Sequence, residues 1–201
     1  MISLLVFCLI GLGCKEKTSP NPISSLPVDV EIEEWLLLAE ENDAQAQHDL
    51  GVIYAQGDRV QQNFDLAVRY YTQAAEQGLI DSCLNLGILY HLGEGVPQDP
   101  ELEMKWFKKA AELGSSQGML NVGVMYAEGK GVEQDSNAAF AWYIEASRQG
   151  DMYAMHNIGY MYEQGESVEV DIEKAKLWMR LSAKSGYEPA QNWLRERGLA
   201  W

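Results

Sequence analysis

The amino-acid sequence of 201 residues is poor in positive charge. It contains 15 lysines and arginines against 30 aspartates and glutamates, for a formal net charge of −15. A surface this acidic repels the phosphates of nucleic acids and anionic lipid headgroups. We therefore expect no nucleic-acid partner and favour a basic protein or peptide, although acidic residues also serve simply to keep a chain soluble.

Histidine and cysteine are also scarce, with three of each in the chain. The sequence lacks the metal-site patterns H-E-x-x-H and C-x-x-C, and it lacks the acyl-transfer patterns G-x-S-x-G and S-x-x-K. No residue is therefore assigned as a nucleophile, a general base or a metal ligand. We expect a protein without cofactor, metal or enzymatic activity.

The sequence has no apolar run long enough to span a bilayer, which needs about 20 residues. The short apolar run at residues 1–13, which ends in small residues, has the pattern of a secretory signal peptide. Cys14 follows a glycine directly, which resembles the lipobox of bacterial lipoproteins, and the resemblance implies that Cys14 is lipidated. Gly11 and Leu12 depart from the lipobox pattern, so a cleaved signal without lipid, or a misassigned start, is an alternative.

Residues 14–28 are rich in proline, serine and charge, which predicts an extended tether. By resemblance to enteric lipoproteins, Lys15 after Cys14 favours release to the outer membrane. We expect a lipoprotein on the periplasmic side of the outer membrane that contacts the membrane only through its lipid. A soluble periplasmic or secreted protein is the alternative.

From residue 44 onward the sequence repeats itself every 36 residues. Five columns keep one residue type in all four copies, and in the first copy they are Gly51, Tyr54, Gly57, Val60 and Gly78. Each copy has two segments with helical periodicity, at 44–56 and 64–77 in the first copy, separated by a turn with glycine. The sequence therefore predicts four helix hairpins, at 44–79, 80–115, 116–151 and 152–187.

Half repeats are expected on both sides of these four copies. Trp35 lies one period before Tyr71, which predicts a lone second helix within residues 29–43. Leu194 lies one period after Ile158, which predicts a capping first helix within residues 188–201. The second helices are expected to begin at polar residues suited to accept hydrogen bonds from the first helical turn: Asn63, Asp99, Asp135 and Asp171.

The turn inside each hairpin carries glycines, as in Gly93-Glu94-Gly95. A phosphate-binding loop would need a lysine and a serine or threonine directly after its last glycine. Here Asp99 lies at the start of the next helix, where a phosphate would dock. We therefore interpret the element as a turn in which glycines adopt left-handed backbone conformations.

One copy shows a resemblance to a known family. The runs N-L-G-I-L-Y-H-L-G-E-G-V at 85–96 and K-A-A-E-L-G at 109–114 resemble Sel1-like repeats, which are related to tetratricopeptide repeats. The resemblance covers residues 29–197, although Arg59 and Ser167 replace the second turn glycine in two copies. It implies an all-α fold, a right-handed solenoid of antiparallel helix hairpins whose first helices line a concave face.

Candidate partner-binding residues lie on the first helices, away from the repeated Leu-Gly-Tyr core positions. One set is a largely apolar stripe: His48, Val52, Leu84, Ile88, His91, Leu120, Val124, His156 and Tyr160. The other set is a polar ladder: Asp49, Asn85, Asn121 and Asn157. An exposed stripe would be a groove for a partner segment whose backbone the ladder binds. Alternatively, neighbouring helices bury the stripe and the ladder bonds within the stack.

Together these observations favour a non-catalytic interaction scaffold in the bacterial cell envelope that binds a protein or peptide on its concave face. An immunity protein that neutralises a secreted toxin is a narrower alternative. A cell-wall or β-lactam hydrolase related to cysteine-rich Sel1-like proteins is the alternative from another class. It conflicts with the cysteine content, because Cys83 alone would remain in the folded body. The oligomeric state stays open.

Overall fold

The computed structural model describes residues 28–201, and every regular element among them is an α-helix. The helices are α1 Val28–Glu40, α2 Ala44–Gln56, α3 Phe64–Glu76, α4 Ile80–Leu92, α5 Pro100–Glu112, α6 Ser116–Glu128, α7 Ser136–Arg148, α8 Met152–Gln164, α9 Ile172–Lys184 and α10 Glu188–Glu196. Across this described range no helix is both long and apolar enough to cross a membrane. The predicted signal peptide at 1–13, Cys14 and the predicted tether up to residue 27 lie outside the described residues.

The described chain divides into two compact units, residues 28–106 and residues 107–201, and the boundary falls inside α5. In the N-terminal unit, α1 packs on α2, α2 on α3, and α3 on α4. In the C-terminal unit, α6 packs on α7, α7 on α8, α8 on α9, and α9 on α10. Each unit is a series of helix hairpins, so the predicted all-α fold with a 36-residue repeat is confirmed.

Polar side chains begin the second helix of each copy, as predicted. An oxygen of each side chain accepts hydrogen bonds from one or two backbone N–H groups in the following helical turn. These groups would otherwise have no partner inside the helix. The four residues are Asn63, Asp99, Asp135 and Asp171, so local capping determines where α3, α5, α7 and α9 begin.

Each first helix of a full repeat ends on a glycine with positive φ. The angles are 69° at Gly57, 74° at Gly93, 67° at Gly129 and 75° at Gly165. The backbone N–H of each glycine donates to the carbonyl oxygen four residues earlier, which closes the last helical turn. L-residues with side chains rarely adopt this backbone conformation. The interpretation of the Gly-x-Gly element as a turn is therefore confirmed.

The glycine in the middle of a first helix allows the second helix to approach closely. A Cβ on Gly51 would lie 2.5 Å from Cδ1 of Tyr71, and a Cβ on Gly123 would lie 2.6 Å from Cε1 of Tyr143. Both tyrosine rings are buried. A side chain at either glycine would overlap a ring that has little room to move, which explains why the repeat retains glycine there.

Candidate functional site

A pocket of about 250 Å³ opens on the first helices of the C-terminal unit. Its walls come from the end of α6, the middle of α8, two residues of α7 and the turn after α8. The apolar lining consists of Val124, Ala127 and Met161. The polar and aromatic lining consists of Glu128, Ser136, Tyr143, His156, Asn157, Tyr160 and Glu166. Apolar walls with a few polar groups are typical of binding sites.

Four of the predicted binding residues line this pocket: Val124, His156, Asn157 and Tyr160. Tyr160 presents the most accessible aromatic surface, since 45% of it is exposed, whereas only 8% of His156 is exposed. The three predicted residues of α8 therefore lie at a pocket, and binding of a partner there stays a prediction. The other predicted binding residues do not line this pocket.

The sequence reasoning missed the carboxylates and Tyr143. Glu128 and Glu166 were outside the stripe because they lie at the end of α6 and after α8, and Tyr143 lies on a second helix. A comparison of equivalent positions in the repeats could have drawn attention to Glu128. The same position holds Gln56 in the first copy, so the negative charge is new in the third.

Two carboxylates, those of Glu128 and Glu166, lie in the pocket lining, and both residues are exposed. Burial raises the pKa of the Tyr143 hydroxyl, and the charges of Glu128 and Glu166 raise that pKa further. A hydrogen bond from Asn157 opposes these effects. Tyr143 therefore stays a neutral phenol that contacts Asn157, and the net charge of the lining is negative.

His156 does not offset this negative charge. Burial lowers its pKa from the usual 6.5, and the hydrogen bond with Asn157 and the charge of Glu163 oppose that shift. The imidazole packs edge-on against the ring of Tyr187, with 5.1 Å between the ring centroids. The ring is therefore neutral at neutral pH and acts as an aromatic wall.

A small side chain at position 136 distinguishes this pocket from the equivalent place in the N-terminal unit. Two repeats earlier, Phe64 occupies the position of Ser136. Phe64 lies against Gly95, where an added Cβ would come within 1.8 Å of the phenylalanine Cβ. In the C-terminal unit the glycine is replaced by Ser167, which has a φ of 66° and donates from Oγ to Oδ1 of Asn137 at 2.7 Å.

The predicted apolar stripe does not form a continuous exposed groove. Leu120, Ile88 and His156 are buried, with 1%, 5% and 8% of their surfaces exposed, so the expectation of an outward face is wrong for them. Leu120, for example, packs in a cluster with residues of α7 and α8, which cover it. Five more members are half-buried: His48, Val52, Leu84, His91 and Val124.

The polar ladder forms hydrogen bonds inside each unit. The pairs are Asp49 with Gln45, Asn85 with Tyr71, Asn121 with Gln117, and Asn157 with Tyr143. The oxygens of Asp49 and Asn121 accept at 2.9 and 3.0 Å. All four side chains therefore form hydrogen bonds within the chain, as the alternative interpretation of the ladder predicts. Binding of a partner's backbone stays a prediction, with Asn157 the ladder member that lines the pocket.

Two histidines of the N-terminal unit make local contacts. His48 Nδ1 lies 2.8 Å from Oγ of Ser82, and burial lowers the pKa of His48. His91 Nδ1 lies 3.0 Å from Oε1 of Glu103, which is buried. Within residues 28–201, no three His, Cys, Asp or Glu side chains are grouped as a metal site.

Comparison with known proteins shows which family the repeats match. The model of the Sel1 repeat matches residues 44–79, 80–115, 116–151 and 153–187. A solved Sel1 repeat protein from Oxalobacter formigenes is 30% identical, with a TM-score of 0.75 over 84% of this chain and 69% of that one. No curated protein matches the chain significantly.

Two further solved structures share the fold. A protective antigen of uropathogenic Escherichia coli with an SLR fold is 37% identical, with a TM-score of 0.79 over 82% of this chain. This chain spans only 35% of that antigen. An immunity protein from Pseudomonas aeruginosa is 22% identical, with a TM-score of 0.51 over 86% of this chain and 64% of that one, and this likeness concerns the fold alone.

Helix hairpins in successive 36-residue repeats, with a pocket on the first helices, define a helical repeat protein. More specifically, the chain belongs to the Sel1 repeat family. Proteins of this family generally mediate protein–protein interactions. This property of the family supports a protein partner in general.

Proposed function

We propose that the chain is a non-catalytic interaction scaffold of the bacterial cell envelope. It binds a partner protein or peptide on the first helices of the C-terminal unit. The observation that carries the proposal is the pocket between α6 and α8, which is open to solvent and lined by Val124, His156, Asn157 and Tyr160.

The chemistry of the pocket suits an anchor residue of a partner. Interface energy concentrates in a few side chains that enter well-packed pockets, and tyrosine is enriched among them. The walls belong to packed helices, so binding orders little additional structure. The net charge of −15 speeds the encounter with a basic partner.

Photo-crosslinking tests the binding surface. The photoreactive residue p-benzoylphenylalanine replaces Tyr160 in the full-length chain expressed in bacteria. Leu177 of α9, which is 54% exposed and outside the pocket, is the matched control position. We expect one reproducible protein adduct from position 160 and none of that mass from position 177. Equal adducts from both positions, or none from position 160, would contradict the proposal.

The envelope location rests on the N-terminal sequence, and we propose that Cys14 carries a lipid that holds the chain at the outer membrane. A Cys14→Ala variant should move from the membrane fraction to the soluble fraction of the envelope. An unchanged membrane fraction would show that another anchor holds the protein.

A further inference from the structure

The pocket on α6 and α8 opens beside Ser136, the smallest side chain that its position holds in any of the four repeats. The equivalent positions hold Phe64, Pro100 and Ile172. The volume of the pocket is about 250 Å³, whereas sites for whole small molecules occupy roughly 300–1,000 Å³. A partner therefore enters this pocket with a single side chain, and the surface of the first helices around it contacts the neighbouring residues of the partner.

The walls of this pocket recur in the N-terminal unit. Five of the ten lining residues are identical two repeats earlier, where they are Val52, Ala55, Tyr71, Asn85 and Glu94. The hydrogen bond between Asn157 and Tyr143 recurs as well, as the bond between Asn85 and Tyr71. Ser136 in one unit and Phe64 in the other therefore belong to equivalent arrangements of helices and side chains.

Phe64 shows which side chain this arrangement accommodates. It is half-buried and lies on the turn after α4, where a Cβ on Gly95 would come within 2.8 Å of its Cγ. The equivalent turn after α8 lines the pocket through Glu166. The N-terminal unit thus places a phenyl ring of its own where the C-terminal unit, with Ser136, has an open pocket.

The buried part of the lining suits an aromatic ring. Tyr143, His156 and Met161 are buried, and Tyr160 presents an exposed ring beside them. His156 and Tyr160 are ring side chains at positions where the N-terminal unit has aliphatic ones. Aromatic rings gain energy from edge-to-face and offset-stacked contacts beyond the burial of their area, and a methionine sulfur also contacts rings favourably.

We propose that this pocket takes up the phenyl ring of a phenylalanine in the partner, at the position that Phe64 occupies in the N-terminal unit. The ring packs on Val124 of α6 and Met161 of α8 and makes aromatic contacts with Tyr160. The inference rests on the proposed interaction function and specifies its anchor.

A titration with short peptides tests the anchor independently of the natural partner. Three capped pentapeptides carry phenylalanine, leucine or arginine between alanines. Binding to the isotope-labelled full-length chain is followed by the side-chain amide of Asn157 and by the methyl signal of Met161, which a bound ring displaces through its ring current. We expect the phenylalanine peptide to bind at least about tenfold more tightly than the arginine peptide and about twofold to tenfold more tightly than the leucine peptide. Equal binding of the leucine or arginine peptide would overturn the assignment.

A steric variant closes the pocket with a pair that the fold already contains. Ser136→Phe with Ser167→Gly reproduces Phe64 and Gly95 of the N-terminal unit and should abolish binding of the phenylalanine peptide. The glycine is included because a Cβ on Gly95 would come within 1.8 Å of the phenylalanine Cβ. Ile172→Phe is the matched control, since it adds the same ring at an exposed position outside the pocket and should change binding less than twofold. Undiminished binding in the closed variant, or an equal loss in the control, would overturn the proposal.

A milder variant keeps the proposal testable if the closed variant lacks the wild-type helical spectrum. Tyr160→Ala removes the exposed ring and should weaken the phenylalanine peptide about twofold to tenfold, while the leucine peptide should lose less. Leu177→Ala shortens another exposed side chain outside the pocket and should change binding of either peptide less than twofold. An equal loss for both peptides in Tyr160→Ala would show that no aromatic contact forms and would overturn the assignment of a ring.

The crosslinking experiment separates this inference from the proposed function. A partner adduct from position 160 that persists in the Ser136→Phe, Ser167→Gly background would refute the phenylalanine anchor and leave the interaction function intact. Binding of the phenylalanine peptide without any partner adduct would refute the interaction function. An adduct with the mass of two chains would identify a second copy as the occupant and overturn the proposal of a separate partner.

Discussion

The two repeat glycines of the C-terminal unit should respond oppositely to the same substitution. A Cβ on Gly123 would lie 2.6 Å from Cε1 of Tyr143, a buried ring that contacts Asn157. A Cβ on Gly159 would lie 3.1 Å from Cε and 3.2 Å from Cγ of Met179, a buried side chain that is more flexible than a tyrosine ring. The nearest backbone atom is a carbonyl oxygen at 3.3 Å in both places. The expected difference between the two substitutions therefore comes from the neighbouring side chain, which is Tyr143 at Gly123 and Met179 at Gly159.

The magnitude follows from two opposing contributions. Alanine favours a helix over glycine by about 1 kcal/mol. Carbon atoms pack best at about 3.5–4.0 Å, so Tyr143 would have to move by about 1 Å, and overpacking of this kind costs roughly 1–3 kcal/mol. We expect Gly123→Ala to lower the free energy of unfolding by about 1–2 kcal/mol, because the overpacking outweighs the gain in helix propensity. Gly159→Ala should lose nothing and gain up to about 1 kcal/mol, because Met179 shifts by a few tenths of an ångström.

Equilibrium unfolding in urea, followed by circular dichroism, measures both changes, and equal m-values would show that the unfolded states are comparable. A double-mutant cycle provides the control. With Tyr143→Met present, the pair matches that at Gly159 and Met179, and Gly123→Ala should no longer destabilise the chain. Equal effects of the two single alanine variants, or an undiminished loss in the Tyr143→Met background, would refute the reasoning.

The remaining predictions concern a cap and two kinds of titration. Asp135→Ala should lower the free energy of unfolding by about 1 kcal/mol, because two backbone N–H groups lose their acceptor; Asp135→Asn in the same urea assay should lose much less. Burial lowers the pKa of His48 and His156, so the unfolded chain binds protons first and stability should fall as the pH drops below 6.5. Replacing both with glutamine should reduce that fall in urea titrations at several pH values. Burial raises the pKa of Asp151 above 3.8, so its contribution favours folding at low pH and is lost as the pH rises through the raised value. Asp151→Asn should remove this dependence, and a pH profile identical to that of the wild type would contradict the assignment.

Local sequence chemistry accounts for the predicted helix starts and turns. The hydrogen bonds that Asn63 and Asp171 accept span three residues, and a left-handed glycine such as Gly93 ends a helix without help from distant parts of the chain. These features are readable from one repeat. Their recurrence at a 36-residue spacing made the hairpin fold predictable.

The candidate site was only partly predictable because exposure depends on which helices pack together. Leu120 and Tyr160 were both assigned to an outward stripe, yet Leu120 is buried and Tyr160 is open to solvent. The helical period places both on one kind of face but contains no information about how much of it a neighbouring hairpin covers. Glu128 and Glu166 were missed for the same reason, since only the packing of α6 and α8 brings them to one pocket.

The sequence by itself determined the repeat length, the helix pairs, the caps and the scarcity of positive charge, because each depends on residue type and short spacing. The tertiary structure decided which glycine faces a rigid ring, which stripe residues are covered, and where a pocket with two carboxylates opens. These properties depend on residues far apart in the chain, such as Gly123, which lies against Tyr143, and Glu128 and Glu166, which line the same pocket. The repeat period of the sequence predicts that helices pair. The distances between their side chains depend on how the helices pack.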